Sequence, residues 1–499
     1  MTRLLVAAFA LGALMFGAAQ GQTLTVALTG DAVSLSPHRT NDQPSSRVQR
    51  QIYDTLVVQT EELELVPGLA ESWTQIDDLT WEFNLRDGVV FHNGEPLTAA
   101  DVKFTLDRLR DPETGAPQAH LVGFIDEVEV VDELTVRITT EHPFVPALSH
   151  LAHTAASILN ERAVTEAGED YGTTVVVGTG PFEFVTWEVA SQIVLERNDD
   201  WWGGEVAPER VVFRPIAEGT VRAIELETGG VDIAYRLEPR DARRMEDQAR
   251  IDLVSVEGLS TAYVGFNAQK EPFDDVRVRQ AINHAIDVET IVEAVYEGQA
   301  VLANSPISPR VFGAHPDLEP YAFDPERARQ LLAEAGYADG FSTTIWTNDN
   351  PLRIQIAEIA QAQLAEIGIS VDVQVLEWST YLAETAAGNH DMFILGWVSV
   401  TADADYGLYA PFHSSQFGSP GNRTFWANER VDELLDLGRA TEDAEQRMAY
   451  YQEAQEIIAE EAPWIFLLVE TEVNGVRDNV DGFVAHPAGA HRLYNVSKN

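Results

Sequence analysis

A chain of 499 residues exceeds what a single core holds together, so about two or three lobes are expected. With 45% apolar and 23% charged residues, it is not a disordered chain. The balance of 33 basic against 80 acidic residues, a formal charge of −47, repels nucleic acid and anionic membranes and excludes both as partners.

The chain opens with Arg3 and the apolar run LLVAAFALGALMFGAA, too short for a comfortable membrane span. Ala19-Gln20-Gly21 follows as a small-x-small pattern, so residues 1–21 read as a cleavable secretory signal. The absence of cysteine removes disulfides, thiolate metal sites and the cysteine-borne lipid anchor of secreted bacterial proteins. The expectation is a free, soluble periplasmic protein.

Residues 84–104, NLRDGVVFHNGEPLTAADVKF, gather His92, Asn93 and several carboxylates. WEFNLRDGVVF alternates like strands around an Asp87-Gly88 turn, and Asn93-Gly94 is a turn that needs positive φ. Thr98 and Asp101 form a capping box opening a helix with Val102, Phe104, Leu106 and Leu109. Turns and a cap therefore use most of these polar groups.

His150 and His153 are the only close histidine pair, at i,i+3 on one helical face. No glutamate follows His150 as a metalloprotease requires, so a partly exposed structural pair is expected, and no metal. His92 and His284 stand alone. VGTGPF at 177–182 lacks the Lys-Ser/Thr of a phosphate loop and reads as a turn before the strand FEFVTW. With no cysteine nucleophile and no G-x-S-x-G elbow, catalysis finds no support, and neither enzyme activity nor a cofactor is expected.

Residues 274–298 read as two helices capped by Asp275 and Asp287, with Gly298 as stop. In 323–341 Asp324 is the N-cap, Pro325 the first helical residue and Gly336 the stop. Residues 351–377 give an amphipathic helix, Gly368, then an alternating strand. A last helix over 443–460 runs up to Pro463 and the strand WIFLLVETEV. This alternation predicts α/β lobes. Between elements, ILGWVSVTADADYGLYAPFHSS at 394–415 is the richest aromatic and polar segment. Trp397 suits an apolar wall, with Tyr406 beside it. Asp403 and Asp405 either fix a cationic group or cap a following helix.

LVPGLAESW (65–73), LRDGVVFHNGEPLTAADVKFTLDRL (85–109), VGTGPF, VRVRQAINHAID (276–287), ARQLLAEAGYADGFSTTIW (328–346) and EEAPWIFLLV (460–469) carry a resemblance. Over about residues 23–485 the chain resembles the family 5 extracellular solute-binding proteins, the peptide and nickel receptors of ABC importers. LAHTAASIL, GFSTTIW and GW…TADADY resemble the glutathione-binding members especially. The resemblance implies an α/β, two-lobed periplasmic-binding-protein fold of the class II type with a ligand cleft between lobes. Lobe I would hold 22–264 plus 471–499, with an inserted subdomain at about 57–178, and lobe II would hold 265–470. The crossings, 262–267 and 468–473, would act as the hinge.

The resemblance also implies a small peptide-like ligand and ABC permease subunits of the inner membrane as partners, with the protein a monomer. Dipeptide and oligopeptide receptors carry an aspartate three positions after this tryptophan, where it pairs with the ligand's α-amino group; here the residue is Val400. An ammonium buried against valine loses its compensating charge. Either Asp403 or Asp405 substitutes, or the ligand presents its charges differently. Arg353 lies near the position of the dipeptide binder's carboxylate-pairing arginine and is the expected anchor. Arg47, Arg222 and Arg423 are weaker alternatives, otherwise surface charges. The expected function is capture of a short peptide or glutathione-like compound. The alternative is a non-peptide ligand such as a nickel chelate or oligosaccharide, and the rival class is a secreted hydrolase.

Overall fold

Two extended segments of unusual length, Ile251–Phe266 and Trp464–Arg477, organise the molecule. They pair antiparallel from Ile251 opposite Arg477 to Gly265 opposite Trp464. The computed structural model describes residues 22–499 apart from 41, 298, 419 and 420, so the signal segment and the Gly298 stop lie outside the described residues. Both long strands belong to an 11-stranded mixed sheet. At one end, residues 475–476 pair with Ile233–Ala234, and the sheet continues through Thr23–Leu28, Arg210–Pro215, Gln192–Arg197 and Phe182–Glu188. At the other, residues 260–266 pair with Met392–Val398, followed by Phe341–Asn348 and Ile369–Leu376. Between the two ends the ladder loses register, from Glu257 to Thr261. Gly258 sits at this break, where a Cβ would stand 2.8 Å from the Glu470 carbonyl oxygen.

Each end has its own apolar core. Leu24, Val26, Phe213 and Val476 are buried on one side of the break, and Val264, Ile282, Ile394 and Leu468 on the other. A third core builds around the antiparallel sheet of Ala70–Asp77, Thr80–Leu85, Thr135–Thr140 and Ile125–Val130. Helix Ala99–Arg110 closes it by burying Val102, Leu106 and Leu109 beneath Phe83 and Val136.

The helix punctuation follows the sequence. Asp275, Asp287, Asp324 and Asp443 each accept a backbone N–H of the first turn they cap. Gly336 and Gly368 take the positive φ, 94° and 89°, that ends a helix at little cost. In the 84–104 stretch, Thr98 donates its backbone N–H and its hydroxyl to the Asp101 carboxylate, at 3.0 and 2.9 Å. The expected second strand after Gly88 is reduced to one bridge, Val90 to Pro96, because the Asn93-Gly94 turn follows too soon for a ladder.

His92 and VGTGPF are structural partners. The Gly178 N–H donates to His92 Nδ1 at 3.2 Å, so the neutral ring donates from Nε2 to the Gly180 carbonyl at 3.0 Å. Burial pulls the His92 pKa down to about 4, only partly opposed by that carbonyl. The two glycines let the chain approach the Ile52 carbonyl, where a Cβ on Gly178 would lie 2.1 Å from oxygen. Gly178→Ala is expected to destabilise the protein by about 1–3 kcal/mol, seen as a lower urea midpoint. An unchanged midpoint would show that the backbone yields there.

Candidate functional site

Helix Gln43–Ile52 starts at Asp42, whose carboxylate accepts the Ser45 N–H at 2.9 Å. It buries Val48 and Ile52 in the first core, which turns Gln43, Ser46 and Arg50 together toward the other lobe. Across the gap stand Trp397 and Val398 at the end of strand Met392–Val398, then Val400 and Tyr406. Gln118, His153, Thr154 and residues 488–490 complete the wall of a cavity of about 220 Å³. Hydrogen bonds also join segments remote in the chain. Gln59 Nε2 donates to the Thr401 carbonyl at 3.0 Å, and the Val145 N–H to the Arg439 carbonyl at 2.9 Å.

Trp397 and Tyr406 form one rigid plate. Trp397 Nε1 donates to the Tyr406 carbonyl at 3.0 Å, and the two rings stack with centroids 5.4 Å apart. Tyr406 continues the stack to His120, with ring centroids 6.1 Å apart. Burial pushes the Tyr406 phenol up to about 12, so it remains a neutral hydrogen-bonding group. Its far side borders a second chamber of about 660 Å³ with Phe144, His150, Tyr409 and Arg439.

The predicted carboxylates are already committed. Asp403 accepts from Arg447 Nη2 at 2.6 Å and from the Asp405 N–H at 2.9 Å. Asp405 accepts from Arg439 Nε at 3.0 Å, with His150 Nε2 at 3.5 Å. Burial alone would raise the Asp405 pKa, but Arg439 and His150 outweigh it and hold it near about 2. These pairs tie the segment behind Tyr406 to helices Glu429–Ala440 and Ala444–Glu461. Neither aspartate lines the cavity that Trp397 faces.

Arg47 is buried and donates to both Glu472 oxygens at 2.7 and 2.8 Å, and His491 Nε2 approaches the same carboxylate at 2.6 Å. Burial would raise the Glu472 pKa, yet Arg47 and His491 pull it well below its ordinary range. Arg353 donates to Asn348 Oδ1 at 3.1 Å and stacks over Trp378, beside Gly396 and off the cavity wall. Arg222 and Arg423, expected at the surface if not in the site, are buried instead. Arg222 donates to the Ile216 and Arg236 carbonyls, and Arg423 to the Leu382 carbonyl, which replaces the lost hydration.

The histidine pair also differs from expectation: both rings are buried, not partly exposed. His150 Nδ1 donates to the Leu121 carbonyl at 2.9 Å, and His153 Nδ1 accepts the Ala155 N–H at 3.1 Å. Burial, reinforced by Arg50, pushes the His153 pKa well below its ordinary value.

Sequence reasoning missed Arg50. Its side chain lines the cavity yet has no hydrogen bond or ion pair among the described residues. Burial first, then the charge of Arg492, pulls its pKa down to about 9, and no carboxylate opposes them. The available signal was the spacing of Gln43, Ser46 and Arg50, three polar residues sharing a side of a helix that buries its other side.

The family model for bacterial extracellular solute-binding proteins, family 5 Middle, matches residues 64–419. The glutathione-binding protein GsiB of Salmonella typhi is 33% identical over 482 residues, covering 95% of this chain and 94% of the relative. The periplasmic binding protein DppA from Helicobacter pylori, solved in complex with peptide STSA, superposes with a TM-score of 0.86 at 32% identity, covering 96% of this chain and 98% of that one. The dipeptide binding protein from Pseudoalteromonas sp. SM9913, in complex with Met-Leu, gives a TM-score of 0.86 at 28% identity, covering 96% and 100%. The chain belongs to the family 5 bacterial extracellular solute-binding proteins and has their two-lobed α/β fold.

The Asp405 pairing has a pH signature. Its folded pKa, about 2, lies below the ordinary 3.8, so within that window the unfolded chain binds the additional proton. The contribution is complete above the window and is lost as pH falls through it, a change of about 2 kcal/mol. Urea unfolding between about pH 5 and about pH 2 should lose stability more steeply for the wild type than for Asp405→Asn. Equal slopes would contradict the pairing.

Proposed function

We propose that this chain is the periplasmic receptor of an ABC importer, exported through residues 1–21, which captures a short peptide or glutathione-like solute between its lobes. The observation that carries this reading is a cavity whose walls come from both lobes: Ser46 and Arg50 on one side, Trp397 and Tyr406 on the other. A solute lying there touches both walls only when the lobes are closed. Its binding energy therefore favours the closed form over the open one. That closed form is what an inner-membrane permease would recognise, with the receptor acting as a monomer.

The lobes are taken as 22–264 plus 471–499, with the insert at about 57–178, and 265–470. The loss of register between Glu257 and Thr261 supports a pivot beside these crossings. Trp397 and Tyr406 supply apolar contact, while Asp403, Asp405 and Arg47 act through Arg447, Arg439 and Glu472 by holding the walls in place. Arg353 would meet only a solute long enough to pass Gly396. Release of an unaltered solute follows from binding without chemistry, so no hydrolysis is expected.

One observation favours a second reading, a non-peptide solute such as a metal chelate or an oligosaccharide. Val400 lines the cavity, so the amine-pairing aspartate expected of a peptide receptor is missing there.

Calorimetric titration with glutathione, di- and tripeptides, nickel–histidine and an oligosaccharide separates the two. A one-site heat from a peptide-like solute, recovered intact, is expected. Trp397→Ala should weaken it about tenfold, the loss of one aromatic face. Heat from the chelate or sugar alone would overturn the peptide reading.

A further inference from the structure

The buried arginines described above are taken up by carboxylates or by backbone carbonyls, whereas Arg50 is met by neither. Arg47, Arg279, Arg439 and Arg447 are largely buried, and each has a carboxylate: Glu472, Glu461, Asp405 and Asp403. Arg222 and Arg423, without a carboxylate, donate to the Ile216, Arg236 and Leu382 carbonyls instead. Arg50 has neither kind of partner among the described residues, although it faces a half-closed cavity. Its charged neighbour is another cation, Arg492, which is also without an ion pair there. Asp54, a buried carboxylate within reach of the Arg492 charge, is already hydrogen-bonded by Thr179 and Trp202 at 3.1 and 2.8 Å.

The rest of the wall is equally selective. Among the described residues no aspartate or glutamate lines the cavity, and the Val400 side chain carries no charge to offer. Its other polar side chains, among them Gln43, Ser46 and Gln118, are uncharged. A cation held beside another cation in a half-closed space is unfavourable unless an anion joins it. The cavity is where such an anion can meet Arg50. An ammonium entering the same space would meet Arg50 and find no carboxylate.

Resting on the receptor reading above, we infer that the cavity selects a net-anionic solute, which sets a carboxylate against the Arg50 guanidinium and carries no free ammonium into the enclosed space. The planar fork of Arg50 suits two parallel hydrogen bonds to one carboxylate. Arg492 adds long-range attraction behind it. A zwitterionic dipeptide is accepted only with its amine outside the cavity, and a solute amidated at its carboxyl group is rejected.

Matched probes test this by calorimetry: glutathione, N-acetyl-dialanine, dialanine, N-acetyl-dialanine amide and glutarate. N-acetyl-dialanine should bind the wild type at least about tenfold more tightly than its amide and than dialanine, the margin of one charge-assisted pair, while glutathione, which keeps an α-ammonium, binds only with that amine outside the cavity. Arg50→Gln should remove that preference, and Arg50→Lys should retain part of it, with urea midpoints confirming that both variants fold. The inference is overturned if the amide binds as tightly as its acid, if Arg50→Gln binds the acids like the wild type, or if none of the acids binds. A tightly bound amide would leave the peptide reading standing. Binding of glutarate without any peptide would defeat the peptide reading and uphold the selection for an anion.

Discussion

The strands Ile251–Phe266 and Trp464–Arg477 hydrogen-bond to each other along nearly their whole length, yet their two ends are buried in different cores. Backbone groups inside a sheet stay paired, so a strand pair resists bending least where the pairing is already interrupted. That point is the segment 257–261, beside Gly258 and Glu470. The cavity lies close to it, bounded by the first helix of one lobe and the end of strand Met392–Val398 of the other.

Buried ion pairs then fix the walls. Asp403 and Asp405 hold the segment behind Tyr406 against two helices, and Glu472 holds Arg47 next to Arg50 in the first helix. Each pair is enclosed, so removing either member leaves an uncompensated charge. Rigid walls suit recognition, because little side-chain freedom remains to be lost when a solute arrives. Against this background Arg50, which has no partner among the described residues, is a cavity-facing cation left for something from outside.

Much of the fold was legible because it is written locally. Asp275, Asp287, Asp324 and Asp443 announce helices within three residues of their partners, and Gly336 and Gly368 announce the ends. The site was less legible because its partners are remote. Asp405 meets Arg439 34 positions later and Asp403 meets Arg447 44 positions later, so both aspartates read as available for a ligand. Arg222 and Arg423 read as surface charges because backbone carbonyls, which any residue provides, are what receive them. Arg50 carries no local signal beyond its place on one side of helix Gln43–Ile52, because the rest of the cavity wall, residues 397–406 and 488–490 among it, comes from far along the chain.

Amide hydrogen exchange with and without a saturating solute from the calorimetric panel tests most directly whether capture takes place between the lobes. Exchange should slow together in the last turns of helix Gln43–Ile52, in residues 397–406 and in residues 488–490. Protection confined to one lobe, or appearing only at sites remote from Arg50 and Trp397, would contradict capture in this cavity.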